Sequence, residues 1–492
     1  MARGFEMFRL IEMGHPGWFG SDDDQPARSR TTSNRDTDVV PISVPKTSLP
    51  TPALIIQDPG PAPASELIMY RNLTAMIFPP IQPWHEISGT CSSVDMGGHI
   101  ESEIIGPAFI MNGQPGQSLA DDSMKIHFLS RSLHDDGHVS RNNSAGHLKA
   151  FASVGEVSEL SIPSRVVERL TGFGAKIRAL RKMPEMGRTL NARIEAETSS
   201  PGPHILLHTV LSPWDLRASK RLDPVWDRFD HRIANVIDNV DLDARVSESL
   251  NRYDFVTCFC DDLRMEIERR FEVPTLHWPA HTDVLGHASV ETRRPIDLLE
   301  VGRRDRARYD RIESFCRSST DRPFILDFTT RPNPNFSAPA AIEFARLMNT
   351  YARAKVAFCE TPATNVRFKG RSPLTGRWVH AWTAGCTVIG TRPGGSGVEA
   401  LTDWPESMLE LPVNTEDHIP FILDVLADED GLRRRRHRNA AEALRRHDTR
   451  HRLAALVDRL NLPRPDRLKS MLDSIESKAE SIAVDIKPEH VS

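Results

Sequence analysis

The chain has 492 residues, 26% of them charged and 39% hydrophobic, with a formal net charge of -5. That length exceeds one ordinary core and allows two or three domains, in a composition typical of globular proteins. The mildly acidic balance gives no electrostatic reason to expect a nucleic-acid partner. No stretch approaches the roughly 18 apolar residues of a membrane span, and MARGFEMFRLIEMGHPGWFG lacks a continuous apolar leader core. A cytoplasmic protein is the default expectation.

Residues 1–123 do not read as a domain. SDDDQPARSRTTSNRDTD and VPKTSLPTPALIIQDPGPAPASE break any helical or strand period, so a largely disordered extension is expected. A second reading stays open, in which translation starts at Met124 and the preceding residues are a mis-annotated start. Six cysteines, Cys91, Cys258, Cys260, Cys316, Cys359 and Cys386, lack the paired spacing of a zinc site. They are read as buried free thiols.

From Lys125 the pattern becomes regular. KIHFLS, HILLHTVL (204–211), HRIANVID (231–238), DFVTCFC (254–260) and TLHWPAH (275–281) are short apolar runs. Helical stretches such as SAGHLKAFASVG and DDLRMEIERRF separate several of them. Buried strands alternating with helices predict a parallel sheet covered on both faces, assigned to a first Rossmann-like domain over 124–285. IDLLEVGRRD (296–305), FILDFTT (324–330) and KVAFC (355–359) begin a second series, assigned to 286–440. A helix over 441–465 and a loose tail over 466–492 complete the expected order. The Arg433 to Arg436 run reads as a solvated helix face, at most a peripheral membrane contact.

The most informative stretch is Ser372 to Leu401. An amphipathic helix, TGRWVHAWTA, stops at Gly385; a short strand, TVIGT, leads into the loop RPGGSG and a second helix opening near Val398. Such a unit sets loop amides and a helix N-terminus at the carboxyl edge of a strand, where open α/β sheets bind ligands and free N–H groups favour a phosphate.

The order of helix, Ala-Gly-Cys, hydrophobic strand, glycine-rich loop and the downstream WPESMLELP resembles the donor-binding half of GT-B fold glycosyltransferases of the group 1 kind. The resemblance covers roughly residues 124–462 and is strongest over 370–412. It implies two Rossmann-like domains with a C-terminal helical segment. It also implies a nucleoside-diphosphate sugar held in the interdomain cleft, with no cofactor, and transfer to a glycan, lipid or small-molecule acceptor. VPTLHWPAHTDVL is similar to the family's crossing between domains.

Sugar transfer needs positive charge or amides on the departing diphosphate and a base near the acceptor hydroxyl. No metal is required if arginines stabilise the diphosphate. Candidates on the donor side are Arg303 in VGRR, Lys369, Arg371 and Arg377 in RFKGRSPLTGR, and the amides of Gly394, Gly395 and Gly397. Base candidates are Asp135, Asp136 and His138 in the loop after the first strand, where Ser144 is expected to cap the next helix, with Asp215 and His281 as rivals.

One departure matters. Retaining family members carry a Glu-x7-Glu motif whose second glutamate meets the donor ribose, and the matching positions here are Ser372 and His380. His380 reads either as a donor contact or as a core-facing helix histidine, and Glu399 is the nearest acidic substitute. A nucleotide-sugar epimerase of the same architecture, or a degenerate binding protein on this scaffold, therefore stays open beside the glycosyltransferase.

Overall fold

A computed structural model describes residues 124–130, 140–160, 187–212, 215–216, 219–238, 249–302, 305–318, 326–328, 338–360, 370–395 and 397–484. All of them fall in one of the two units into which the chain divides, Glu66–Ser492. The expectations for 1–123, and the candidates Asp135, Asp136, His138, Arg303 and Lys369, lie outside the described residues.

Six parallel strands form the first sheet: β1 (Lys125–Ser130), β2 (Glu156–Leu160), β3 (His204–Val210), β4 (His231–Val236), β5 (Phe255–Cys258) and β6 (Thr275–His277), in the order β2-β1-β3-β4-β5-β6. Alternate residues feed two cores, as a two-residue period requires. Leu129, Leu206, Ala234 and Val256 pack with Leu190 and Ile194 of a helix over 187–197, and with Leu263 and Ile267 of α2 (Asp261–Phe271). On the other face Ile126, Phe128, Ile205 and Ile233 meet Phe151 of α1 (Ser140–Ala152).

The sequence reading missed β2. EVSEL is an edge strand with one fully buried residue, so it never shows an apolar run. Ser144, expected as a cap, lies inside α1, whose first residue is Ser140.

A short helix, α3 (Val284–His287), leads to the second sheet of β7 (Ile296–Glu300), β8 (Leu326–Phe328), β9 (Ala354–Cys359), β10 (Thr387–Gly390) and β11 (Leu409–Glu410), in the order β11-β10-β9-β7-β8. Its helices are α4 (Arg306–Ser318), α5 (Ala340–Ala352), α6 (Gly376–Thr383), the single turn α7 (Glu399–Thr402) and α8 (His418–Ala427). The fold is thus two Rossmann-like α/β sheets followed by α9 (Glu429–His447), α10 (Thr449–Arg459) and α11 (Asp466–Val484).

α6, expected to be amphipathic, is buried from Trp378 through Thr383. It runs between the sheet and α9, whose Ala440, Ala441, Ala443 and Leu444 share its core. The Trp382 indole N–H donates to the Ser407 carbonyl at 2.7 Å, so each large ring also has its polar atom satisfied.

The helical end ties the two sheets together. α10 places Leu453, Leu456 and Val457 in the core of the first sheet, although α9 belongs to the second. The chain therefore crosses twice, and the crossings are pinned side by side: Thr282 N–H donates to His447 O at 3.1 Å and Thr449 N–H to Thr282 O at 2.9 Å. Arg450 adds a buried pair with Asp283 at 3.0 Å. The loose tail expected from residue 466 is corrected: 466–484 is helix α11, whose Ile475, Ala479 and Ile482 pack with α9 and α6. Its apolar residues recur at three- and four-residue spacing, a period hidden by the charged residues between them.

Candidate functional site

Both sheets share a topological feature. The chain leaves the first strand for an edge, then returns across it, so the winding reverses between β1 and β3 and between β7 and β9. Ligands of open α/β sheets bind at the carboxyl ends of strands at such reversals.

At the second reversal, β7 ends at Glu300 and the chain turns through Gly302 at φ +94°. The Arg377 guanidinium, from the first turn of α6, lies against that turn. A Cβ on Gly302 would stand 2.9 Å from one of its terminal nitrogens. Only glycine gives both the backbone angle and the room.

Arg377 has charged company that the sequence reading missed. Arg308 of α4 is buried, donates to Glu300 at 2.7 Å and to Glu360 just beyond β9, and lies over the Phe358 ring at 3.7 Å. Burial pushes the Glu300 carboxyl above the usual carboxylate range, against the opposing pull of Arg308 and Arg377. The available signal was a glutamate at the end of each of two strands that turn out to be neighbours, in IDLLE and KVAFCE.

The glycine-rich loop after β10 differs from its expectation. Gly394 N–H donates to the Ser372 carbonyl at 2.9 Å and lies 3.2 Å from its hydroxyl, so that amide is already satisfied. Gly395 and Gly397 have φ of +107° and +75° and press on the first sheet's edge. Cβ atoms there would meet Asp262 Oδ2 at 2.9 Å and His277 Nδ1 at 3.1 Å. Asp261 and Asp262 occupy the first turn of α2, where the helix dipole favours carboxylates.

The helix expected to open near Val398 is the one-turn α7, with Glu399 exposed on it. Arg371 forms an ion pair with Glu266 of α2, which also takes Arg270 at 3.1 Å. The carboxyl edges of the two sheets thus touch through this loop, and Arg371 bridges them.

Two base candidates are corrected. His281 is buried, with Nε2 accepting from the Trp278 indole N–H at 2.7 Å; Nδ1 therefore carries the proton and donates to Thr449 Oγ1 at 2.9 Å. His147 stacks on it at 4.0 Å and donates to its carbonyl at 3.1 Å. Burial and the neighbouring histidine hold the His281 pKa well down. Its surroundings make it a pin of the crossing, not a base at the cleft. Asp215 accepts from the amides of Leu211 and Ser212 at 2.9 and 2.8 Å, which makes it a turn residue.

His380 is 5% exposed, and desolvation with His147 and His287 nearby lowers its pKa to about 3. It is therefore neutral at ordinary pH. Phe344 and Tyr351 stand edge-on at 5.8 and 5.9 Å.

Among the described residues no group of three or more potential ligand side chains could hold a metal ion, and no helix is long and apolar enough to cross a membrane.

No family model and no curated protein matches the sequence. Solved structures of similar fold include an alpha-glucosyltransferase in complex with UDP-glucose and abasic DNA, at 11% identity and TM-score 0.42, covering 69% of this chain and 99% of that one. Anabaena Alr3699/HepE with UDP-glucose gives 10% identity and TM-score 0.40, covering 68% and 99%. A Listeria monocytogenes protein assigned as a UDP-N-acetylglucosamine 2-epimerase gives 12% and 0.38, covering 70% and 98%.

Proposed function

We propose that the protein is a glycosyltransferase that binds a nucleoside-diphosphate sugar between the carboxyl edges of its two sheets. One observation carries this reading: Arg377 is seated over Gly302 at the second sheet's reversal. A cation held there is already in place for the charge that grows on a departing diphosphate, with no reorganisation at the moment of reaction. Arg303 follows Gly302 directly, and Lys369 precedes the loop that carries Arg371. These two complete the proposed donor grip.

On the acceptor side, β1 ends at the first sheet's reversal, and the sequence that follows it carries Asp136 and His138. Asp136 or His138 would take the acceptor hydroxyl proton as its oxygen bonds to the sugar's anomeric carbon. The bond from that carbon to the diphosphate oxygen breaks, and its electrons leave with the diphosphate. Arginines supply the stabilisation, so the proposal includes no cofactor and needs no metal.

Neutral His380, in place of a family glutamate, favours a second reading in which the donor is bound and not turned over. A thermal-shift panel of UDP, GDP, TDP, ADP and CMP, followed by donor-consumption assays, tests both. At a hundred times its dissociation constant, a ligand specific for the native state adds about 2.7 kcal/mol of stability. Arg377→Ala should remove about 1.5–3 kcal/mol of nucleotide binding. Binding without consumption selects the second reading, and no response to any nucleotide refutes both.

A further inference from the structure

Glu300, Arg308 and Glu360 form a cluster at the carboxyl edge of the second sheet that the proposed reaction does not use. Glu300 is in register with Phe358 on the neighbouring strand, and Gly302 and Glu360 each follow by two residues. Neighbouring strands such as β7 and β9 lie about 4.8 Å apart. Glu360 therefore stands one strand away from the turn over which Arg377 is seated.

The two carboxylates differ in access. Arg308 is 3% exposed, lies over the Phe358 ring at 3.7 Å, and donates from one terminal nitrogen to Glu300 at 2.7 Å and from the other to Glu360. The Glu300 side chain is 5% exposed and closed to a ligand, whereas that of Glu360 is 30% exposed. A carboxylate accepts about four hydrogen bonds, and among the described residues Arg308 supplies Glu360 with one. Glu360 is thus an acceptor anchored by a buried guanidinium and open on its solvent side. One donor is also left over. The Arg308 Nε–H is buried and has no acceptor among the described residues, and a buried polar group without a partner needs an explanation.

These two groups select the part of a nucleotide sugar that belongs beside them. A phosphate only accepts, and Glu360 repels it. A base N–H only donates and leaves the Arg308 Nε–H unanswered. A hydroxyl does both. Position agrees: a diphosphate gripped at Arg377 carries a sugar ring on either side, and a group one strand away meets a ring before it meets the base. Two adjacent hydroxyls engage both oxygens of a carboxylate, in charge-assisted bonds stronger than those between neutral groups.

We propose that Glu360, held by Arg308, binds a vicinal diol of the donor, on its ribose or on its transferred sugar. This rests on the donor-binding reading above and goes beyond it by assigning a specificity-determining residue.

The experiment is isothermal titration of the full chain with two sets of matched ligands that differ by one hydroxyl. UDP and GDP against their 2′-deoxy forms probe the ribose; UDP-glucose and GDP-mannose against their 2-deoxy sugars probe the transferred sugar. In one set the hydroxyl-bearing member should bind at least about tenfold tighter, the lower bound for a hydrogen bond to a charged group. The set that responds identifies the ring. Glu360→Gln keeps an acceptor for Arg308, removes the charge, and should bring that ratio towards one. Glu360→Asp keeps the charge, withdraws it by one methylene and should act alike, which covers a failure of the first variant to fold. A purely structural Glu360 would change stability and leave the ratio where it was.

Ratios near one in both sets with the wild-type chain overturn the proposal and leave the donor site standing. So does a ratio that folded Glu360 variants do not move. A variant that alters the preference between UDP and GDP while keeping the hydroxyl ratio shows that Glu360 reads the base, and the diol assignment falls. Failure of every nucleotide to bind removes the donor-binding reading itself and this inference with it.

Discussion

Gly302→Ala tests whether the β7 turn exists to seat Arg377. At φ +94° an L-residue is outside its comfortable range, which costs about 1–3 kcal/mol of stability. The added methyl would also lie 2.9 Å from a terminal nitrogen and 3.0 Å from Cζ of Arg377. The guanidinium must therefore move by several tenths of an ångström. If it grips a diphosphate, misplacing it should cost close to what deleting it costs, about 1.5–3 kcal/mol, or roughly 10- to 150-fold in nucleotide affinity. Urea denaturation reads the first effect and calorimetric titration the second. The double variant Gly302→Ala, Arg377→Ala should bind no worse than Arg377→Ala alone, because both changes remove one interaction. Wild-type affinity in a folded Gly302→Ala protein, or losses that simply add, would refute the assignment.

Other consequences are simpler to check. Glu266→Gln should loosen the hold on Arg371 and tighten nucleotide diphosphate binding, by about fivefold for a pair still partly open to solvent; weaker binding would show that the pair positions Arg371. His281→Ala leaves the Trp278 indole N–H without its acceptor and should cost at least about 2 kcal/mol of stability. A variant that melts normally and loses activity would instead return His281 to the list of bases. Acid should destabilise the protein through its buried histidines. The folded-state pKa values of His147 and His380 are lowered to about 4 and about 3, so between those values and 6.5 the unfolded chain holds more protons. Stability is then complete above pH 6.5 and falls with pH by about 1.4 kcal/mol per unit for each histidine, nearly 3 kcal/mol for the pair at pH 5.5. A flat denaturation midpoint from pH 7.5 to 5 would contradict this.

Much of the fold can be read directly from the chain. Runs such as HILLHTV and TVIG are mostly apolar and buried throughout because helices cover both faces of the sheet, so local composition largely records burial. The break near Asp283 and the glycine-rich loop after TVIG are equally local signals. β2 and α11 escaped because each is anchored by a few apolar residues among charged ones.

The site was legible only as a place. Sequence alone determined two wound α/β halves, a glycine-bearing strand end and a set of basic residues nearby, because strand burial, turn angles and charge are properties of short segments. Tertiary structure decided which of those residues are already engaged. It took Arg371 to Glu266, Gly394 to Ser372 and His281 to Trp278, and it brought Glu300, Arg308 and Glu360 together. Apart from His281 and Trp278, which share one connection, these pairings join residues on separate elements or connections, and only the packing of those parts sets the distance between them.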